Sequence, residues 1–233
     1  NFALHYCIPD PAVVYAHIAE CNYLSSQTDK SFDFIIGNPP WGYHFSKKEQ
    51  TLLKSKYVTA SGSSIESYDV FLEQAIANLK TNGVLSFVLP EAILNVRSHA
   101  AIRRLLLDSC SFQYLEYLGN AFDKVQCPCV ILQAAYTGRP FDGTGMIVKD
   151  RTRKYTIHNP RIWNPECLNF TATDEEFAVL EKISSPSGKT TLAGRAVFAL
   201  GIVTGDNKKY ITQKQTGETE PILKGSDLYK FRW

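Results

Sequence analysis

FDFIIGNPPWG, residues 32–42, is the stretch on which the reading of the chain turns. FDFII is an apolar run that Gly37 and a double proline stop abruptly, the pattern of a buried strand running into a loop. After it, Lys47 to Lys56 reads as a charged, exposed segment. From there Ile65, Tyr68, Leu72, Ala75, Ile76 and Leu79 recur at helical spacing, and Asn82-Gly83 is the expected helix stop. GVLSFVLP (83–90) reads as a second buried strand, and Ala92 to about Asp108 as a second helix with Ala100, Ala101, Leu105 and Leu106 on one face. SFQYLEYLG (111–119) and CVILQAAY (129–136) are the third and fourth strands, close enough in sequence to pair antiparallel. Alternating strands and helices predict an α/β fold: a mainly parallel sheet with one reversed strand near an edge.

Beyond Tyr136 the composition shifts to Gly, Pro, Asn and Thr, with KDRTRK at 149–154 and NPRIWNPE at 159–166, and reads as an exposed linker. A short helix is expected over Asp174 to Ile183, capped by Thr173 or Asp174, then a strand over AVFALGIVT (196–204) broken by Gly201, then a turn at Gly205–Asn207. A domain boundary is placed near 165, giving units 1–165 and 166–233.

Composition excludes several classes. At 44% hydrophobic and 21% charged the chain is globular, and Lys+Arg 25 against Asp+Glu 23 leaves no overall field to drive it onto a polyanion or a membrane. Any polyanion site must be local. None of the six cysteines forms a CxxC pair, and Cys127 and Cys129 stand at i, i+2 on one face of a strand, so no metal is expected and free thiols in the cytoplasm are. The sequence holds no run of 18 apolar residues and no secretory signal pattern, which argues against a membrane span.

The chemistry concentrates in Asn38, Pro39, Pro40 and Trp41. A loop directly after a buried strand lies at the carboxyl edge of the sheet, where open α/β folds bind ligands. The Asn38 side-chain oxygen and the Pro39 carbonyl offer two acceptors, and the prolines fix φ and remove two competing donors. Such a pair suits the two hydrogens of a conjugated exocyclic amine, whose nitrogen it draws toward tetrahedral geometry. Trp41 supplies a flat face for an extruded base.

FDFIIGNPPWG, then SYDVFLEQAIANLKTNGVLSFVLPEAILN (67–95), then GNAFDKVQCPCVILQ (119–133), resemble the gamma-class adenine-N6 DNA methyltransferases of restriction–modification systems, over about residues 30 to 136. The resemblance implies a class I, S-adenosylmethionine-dependent methyltransferase fold acting on double-stranded DNA, with Asn38, Pro39, Pro40 and Trp41 as the target-amine motif. By the same match, Phe122 resembles a second aromatic packing on the flipped base, and Tyr68 and Asp69 resemble the segment beside the cofactor's methionine moiety. Glu91, at a strand end, reads as a solvated carboxylate or helix cap. Downstream, LGIVTGDNKKYI (200–211) and PILKGSDLYKF (221–231) resemble the start of a target-recognition domain, with Lys208, Lys209, Lys214 and Lys224 as candidate phosphate contacts.

The glycine-rich loop and the ribose-binding carboxylate expected before the NPPW strand do not appear in these residues. The first 31 residues hold no glycine, and of Asp10, Glu20 and Asp29, Asp10 is the candidate near the cofactor's adenine edge. The expectation is therefore the C-terminal half of the catalytic sheet, completed by a missing N-terminal part or a complementary subunit, and in some systems accompanied by a restriction endonuclease. A protein-glutamine N-methyltransferase and a catalytically silent DNA-binding or assembly subunit are the alternatives.

Overall fold

Six strands form one mixed sheet in a computed structural model that describes residues 12, 15, 17–25, 31–62, 64–122, 127–184, 190, 192, 194–197, 201–202 and 204–223. The strands are β1 (Phe32–Gly37), β2 (Leu79–Pro90), β3 (Cys110–Gly119), β4 (Cys129–Tyr136), β5 (Ile147–Lys149) and β6 (Lys154–Thr156). Their order is β1-β2-β4-β3-β5-β6. β1 runs parallel to β2, β4 is antiparallel to both β2 and β3, β5 is parallel to β3, and β6 returns antiparallel to β5. The chain is thus α/β, as expected. The reversed strand is not at an edge, however. β4 is apolar toward both faces and inserts between β2 and β3, while β6 adds a second reversed strand at the end of the sheet.

The helices are α1 (Lys47–Lys56), α2 (Ser67–Ala77), α3 (Ala100–Ser109), α4 (Asp174–Ser184) and α5 (Asn207–Tyr210). α1 occupies the charged segment expected to be exposed, with Leu53 its buried residue. Its signal was a capping box: the Ser46 hydroxyl accepts from the Glu49 amide while the Glu49 carboxylate accepts from the Ser46 amide at 2.8 Å. The helix expected to run to Leu79 ends at Ala77, and Asn82-Gly83 is an irregularity inside β2 rather than a helix stop. Asn82 takes φ 65, and a Cβ at Gly83 would stand 2.7 Å from the Phe32 carbonyl oxygen, so glycine lets β2 pass β1 there.

The helix expected from Ala92 is also broken. Two 3-10 turns, Glu91–Leu94 and Arg97–His99, precede α3, because the buried Arg103 donates Nη1 to the Ile93 and Val96 carbonyls at 2.7 and 2.8 Å. The same guanidinium donates to the Pro165 carbonyl and, at 3.0 Å, to the Glu166 carbonyl. That grip, with Leu168 and Phe170 in the core, corrects two expectations. Residues after Tyr136 extend the sheet instead of forming a linker, and the compact units divide at Ser185/Pro186 rather than near 165. In the second unit, none of the described residues among 196–204 is in a strand, and the other residues of that stretch lie outside the described ones.

The first unit's core is centred on Leu72, Leu85, Leu89, Ile102, Leu106 and Leu115. β1, expected to be buried, has no buried residue, and Phe32, Phe34 and Ile36 are 38%, 70% and 79% exposed. Among the described residues β1 is an edge strand. Urea unfolding monitored by circular dichroism should therefore separate two variants. Leu85→Ala is expected to cost about 2–5 kcal/mol and Phe34→Ala less than about 1 kcal/mol; equal losses would mean that β1 is covered.

Candidate functional site

The Asn38–Trp41 loop leaves the carboxyl end of β1, where Gly37 pairs with Phe87 of β2. Pro39 is buried and Asn38 is exposed. Among the described residues nothing hydrogen-bonds the Asn38 side chain or the Pro39 carbonyl, so both acceptors are uncommitted. The Pro40 carbonyl differs. It accepts from the Ser67 hydroxyl at 2.6 Å, and the same Ser67 oxygen accepts from the Tyr43 amide at 3.4 Å. One buried side chain at the start of α2 thus spans the turn that carries Trp41, in which Gly42 adopts φ 65.

Trp41 is half-buried against the core and meets Phe122 edge-to-face, with ring centroids 5.4 Å apart and planes at 77°. The two expected stacking partners are together, yet they touch directly. A base sandwiched between parallel rings needs about 7 Å, twice the ~3.4 Å spacing of stacked bases, so Phe122 must move for it to flank one.

Asp69 is engaged within the protein. It is buried, and His99 Nδ1 lies 2.9 Å from its carboxylate while His99 Nε2 lies 2.7 Å from the Tyr68 hydroxyl. An ionised carboxylate only accepts, so Nδ1 carries the proton in that state. Burial pushes the Asp69 carboxyl above its ordinary range, opposed by the hydrogen bond and charge of His99; burial and the Asp69 charge push the Tyr68 phenol up. The trio joins the start of α2 to the start of α3.

Sequence reasoning missed Ser67 and His99, and it missed a cavity of about 130 Å³ beside the loop, lined in part by Asn22, Leu24, Pro40, Tyr43, Phe45 and Phe71. A serine at a helix start was a visible signal for Ser67; the others come together only through the fold. In the second unit Lys208 and Lys209 lie on α5, capped by Asp206, with Lys209 Nζ 5.1 Å from the Tyr210 ring centre. The expected turn thus continues as a short helix. Lys214 is exposed, and Lys224 and Asp10 lie outside the described residues. Among the described residues no helix is long and apolar enough to cross a membrane.

Residues 12–123, which carry β1, the NPPW loop, α1–α3, β3 and Phe122, match the model of the Eco57I restriction-modification methylases. The chain is related to the restriction–modification methylases. It is 30% identical over 223 residues to the Type II methyltransferase M.VspI of Vibrio sp. (strain 343), covering 93% of this chain and 53% of that protein. It is 26% identical over 208 residues to the Type II restriction enzyme and methyltransferase RM.Eco57I of Escherichia coli, covering 82% of this chain and 20% of that one. The chain therefore spans about half of the first methylase relative and a fifth of the second. A solved structure of a type I R-M system aligns with 71% of this chain and 32% of its own, at 17% identity and a TM-score of 0.47.

The turn's dependence on one hydroxyl is measurable. Ser67→Ala leaves the Pro40 carbonyl without its donor and is expected to destabilise the protein by about 1–3 kcal/mol, whereas Ser67→Thr retains the oxygen and is expected to cost less. Chemical denaturation of both variants checks this, and a Ser67→Ala protein as stable as the parent would show that the clasp holds nothing.

Proposed function

We propose that this chain is the target-base part of a site-specific DNA methyltransferase of a restriction–modification system, which transfers a methyl group to the N6 amine of adenine. One observation carries the proposal: two uncommitted acceptors, Asn38 Oδ1 and the Pro39 carbonyl, directly precede Trp41 on a turn closed by Ser67. Kinship with the methylases supports it.

The adenine amine is a poor nucleophile because its lone pair is delocalised into the ring. Acceptors on both N–H bonds favour a nitrogen with the lone pair free to attack, and they become more favourable as positive charge develops there, so their effect falls on the transition state. S-adenosylmethionine, when bound, supplies a methyl group on a sulfonium, an electrophile that needs no further activation. Once the nitrogen–methyl bond has formed and the sulfur–methyl bond has broken, the amine sheds a proton through Asn38 or the Pro39 carbonyl to water. Trp41 holds the base, a contact worth about 1–3 kcal/mol.

The cavity beside Pro40 fits part of the cofactor. Phe45, Phe71 and Tyr43 provide flat apolar walls and Asn22 an amide, a lining suited to a purine ring. At about 130 Å³ it is smaller than the ~300–1,000 Å³ of pockets that enclose whole ligands. The rest of the cofactor then contacts groups outside this cavity, supplied by a further N-terminal part of the enzyme or a complementary subunit. Double-stranded DNA is the substrate, with the second unit's Lys208, Lys209 and Lys214 as phosphate contacts. A nuclease partner is suggested by the relative named both restriction enzyme and methyltransferase.

Radiolabelled methyl transfer by the full-length enzyme tests the proposal, with DNA and protein as separate acceptors. Label is expected in adenine of DNA; label in protein or in neither contradicts it. Asn38→Ala is expected to lower kcat about 100-fold or more while changing the DNA Kd less than about threefold. Equal losses in both would remove Asn38 from the chemistry.

A further inference from the structure

The β5–β6 turn stands at the same sheet edge as the Asn38–Trp41 loop, because β5 is parallel to β3 and, through the antiparallel β4, β3 shares its direction with β2 and β1. Four cations lie between 149 and 154. Lys149 is bound to Glu116 at 2.6 Å. Arg153 is bound to Asp150 and Glu176 at 3.3 and 3.0 Å and donates to the Thr171 carbonyl. Lys154 is exposed.

Arg151 is placed differently. It is exposed and has no hydrogen bond or carboxylate partner among the described residues. Its guanidinium lies against Gly119, the last residue of β3, where the backbone has φ 65 and an added Cβ would collide with it. Gly119 therefore has two reasons to be glycine, its own conformation and the seat it makes for the guanidinium. The carboxylate next to Arg151 is turned away: Asp150 Oδ1 accepts from the Thr152 and Arg153 amides at 2.7 and 2.8 Å. Three residues beyond Gly119 stands Phe122, in contact with Trp41.

We infer that Arg151 is a phosphate contact, binding the nucleic-acid backbone beside the nucleotide whose base enters at Trp41. The inference rests on DNA being the substrate. Extruding a base rotates its nucleotide about the flanking phosphates, so a cation at the pocket mouth that fixes one phosphate directs the base inward. A guanidinium suits this role because it offers a planar, bidentate fork to phosphate oxygens. Resting on a backbone surface, it loses less freedom on binding than a side chain free in water. Lys149 and Arg153 are already committed to carboxylates, and Lys154, exposed at the start of β6, has an ammonium rather than a fork, which leaves Arg151 as the available fork beside Gly119.

The test uses the full-length enzyme and a duplex containing its target. Arg151→Gln is expected to weaken binding and to reduce the slope of log affinity against log salt by about 1, the release expected for one phosphate. Neutral methylphosphonate linkages placed singly around the target adenine provide the second arm. One linkage should weaken binding by the parent and leave Arg151→Gln unaffected, a coupling that a merely structural arginine would not produce. Gly119→Ala, which displaces the guanidinium, should reproduce the loss of slope. Unchanged affinity and slope in Arg151→Gln, or methylphosphonate effects equal in parent and variant, overturn this inference alone; an unaltered enzyme that binds no DNA overturns it together with the proposed function.

Discussion

The Ser67 hydroxyl, donating to the Pro40 carbonyl and accepting from the Tyr43 amide, is the contact on which the geometry of the site depends. Two prolines fix φ as the chain leaves β1, but they do not determine where the chain goes after Pro40. The serine does, and its position is set in turn by α2. The helix start is held by the buried contact of Asp69 with His99, which ties it to α3. A chain of buried polar contacts thus runs from the loop to two helices. It works because each group has a partner: desolvation alone would favour a neutral Asp69, and the His99 hydrogen bond and charge oppose that.

What the loop leaves unbound is as informative as what it binds. The Pro40 carbonyl is committed inward, while Asn38 and the Pro39 carbonyl are not. Asn38 is exposed, and an exposed acceptor is solvated until a ligand with matching donors displaces the water. Trp41 and Phe122 meanwhile meet edge to face. Separating them costs about 0.5–1.5 kcal/mol, which the ~1–3 kcal/mol of base stacking offsets. On the proposed function, base entry and aromatic separation are one event.

Much of this was legible in the sequence. FDFII before NPPW marked the strand and its loop, and the strands over GVLSFVLP, SFQYLEYLG and CVILQAAY are present. The failures have physical causes. Asn82-Gly83 carries the chemistry of a helix stop, yet the helix ends sooner, and the left-handed conformation of Asn82 serves a strand irregularity beside β1. Ala92–Asp108 has helical periodicity, but a buried arginine withdraws the Ile93 and Val96 carbonyls from regular helical pairing. The same arginine brings Glu166 into the first unit against a composition that suggested a linker. The contact of Asp69 with His99 was not legible, because the partner is thirty residues away. Local pattern found β1 to β4, α2 and α4 but not α1, β5 or β6; contacts distant in sequence decided where the elements end and which polar groups stay free.

The central claim is that Trp41 receives an extruded base. A fluorescent adenine analogue at the target position of a duplex, bound to the full-length enzyme, reads it directly. The analogue brightens on leaving the stack and should then be quenched against Trp41, so Trp41→Leu is expected to raise the bound-state emission severalfold, whereas Trp41→Phe and Trp41→Tyr keep the base stacked and methyl transfer mostly intact. Emission that is the same in parent and Trp41→Leu would contradict the account.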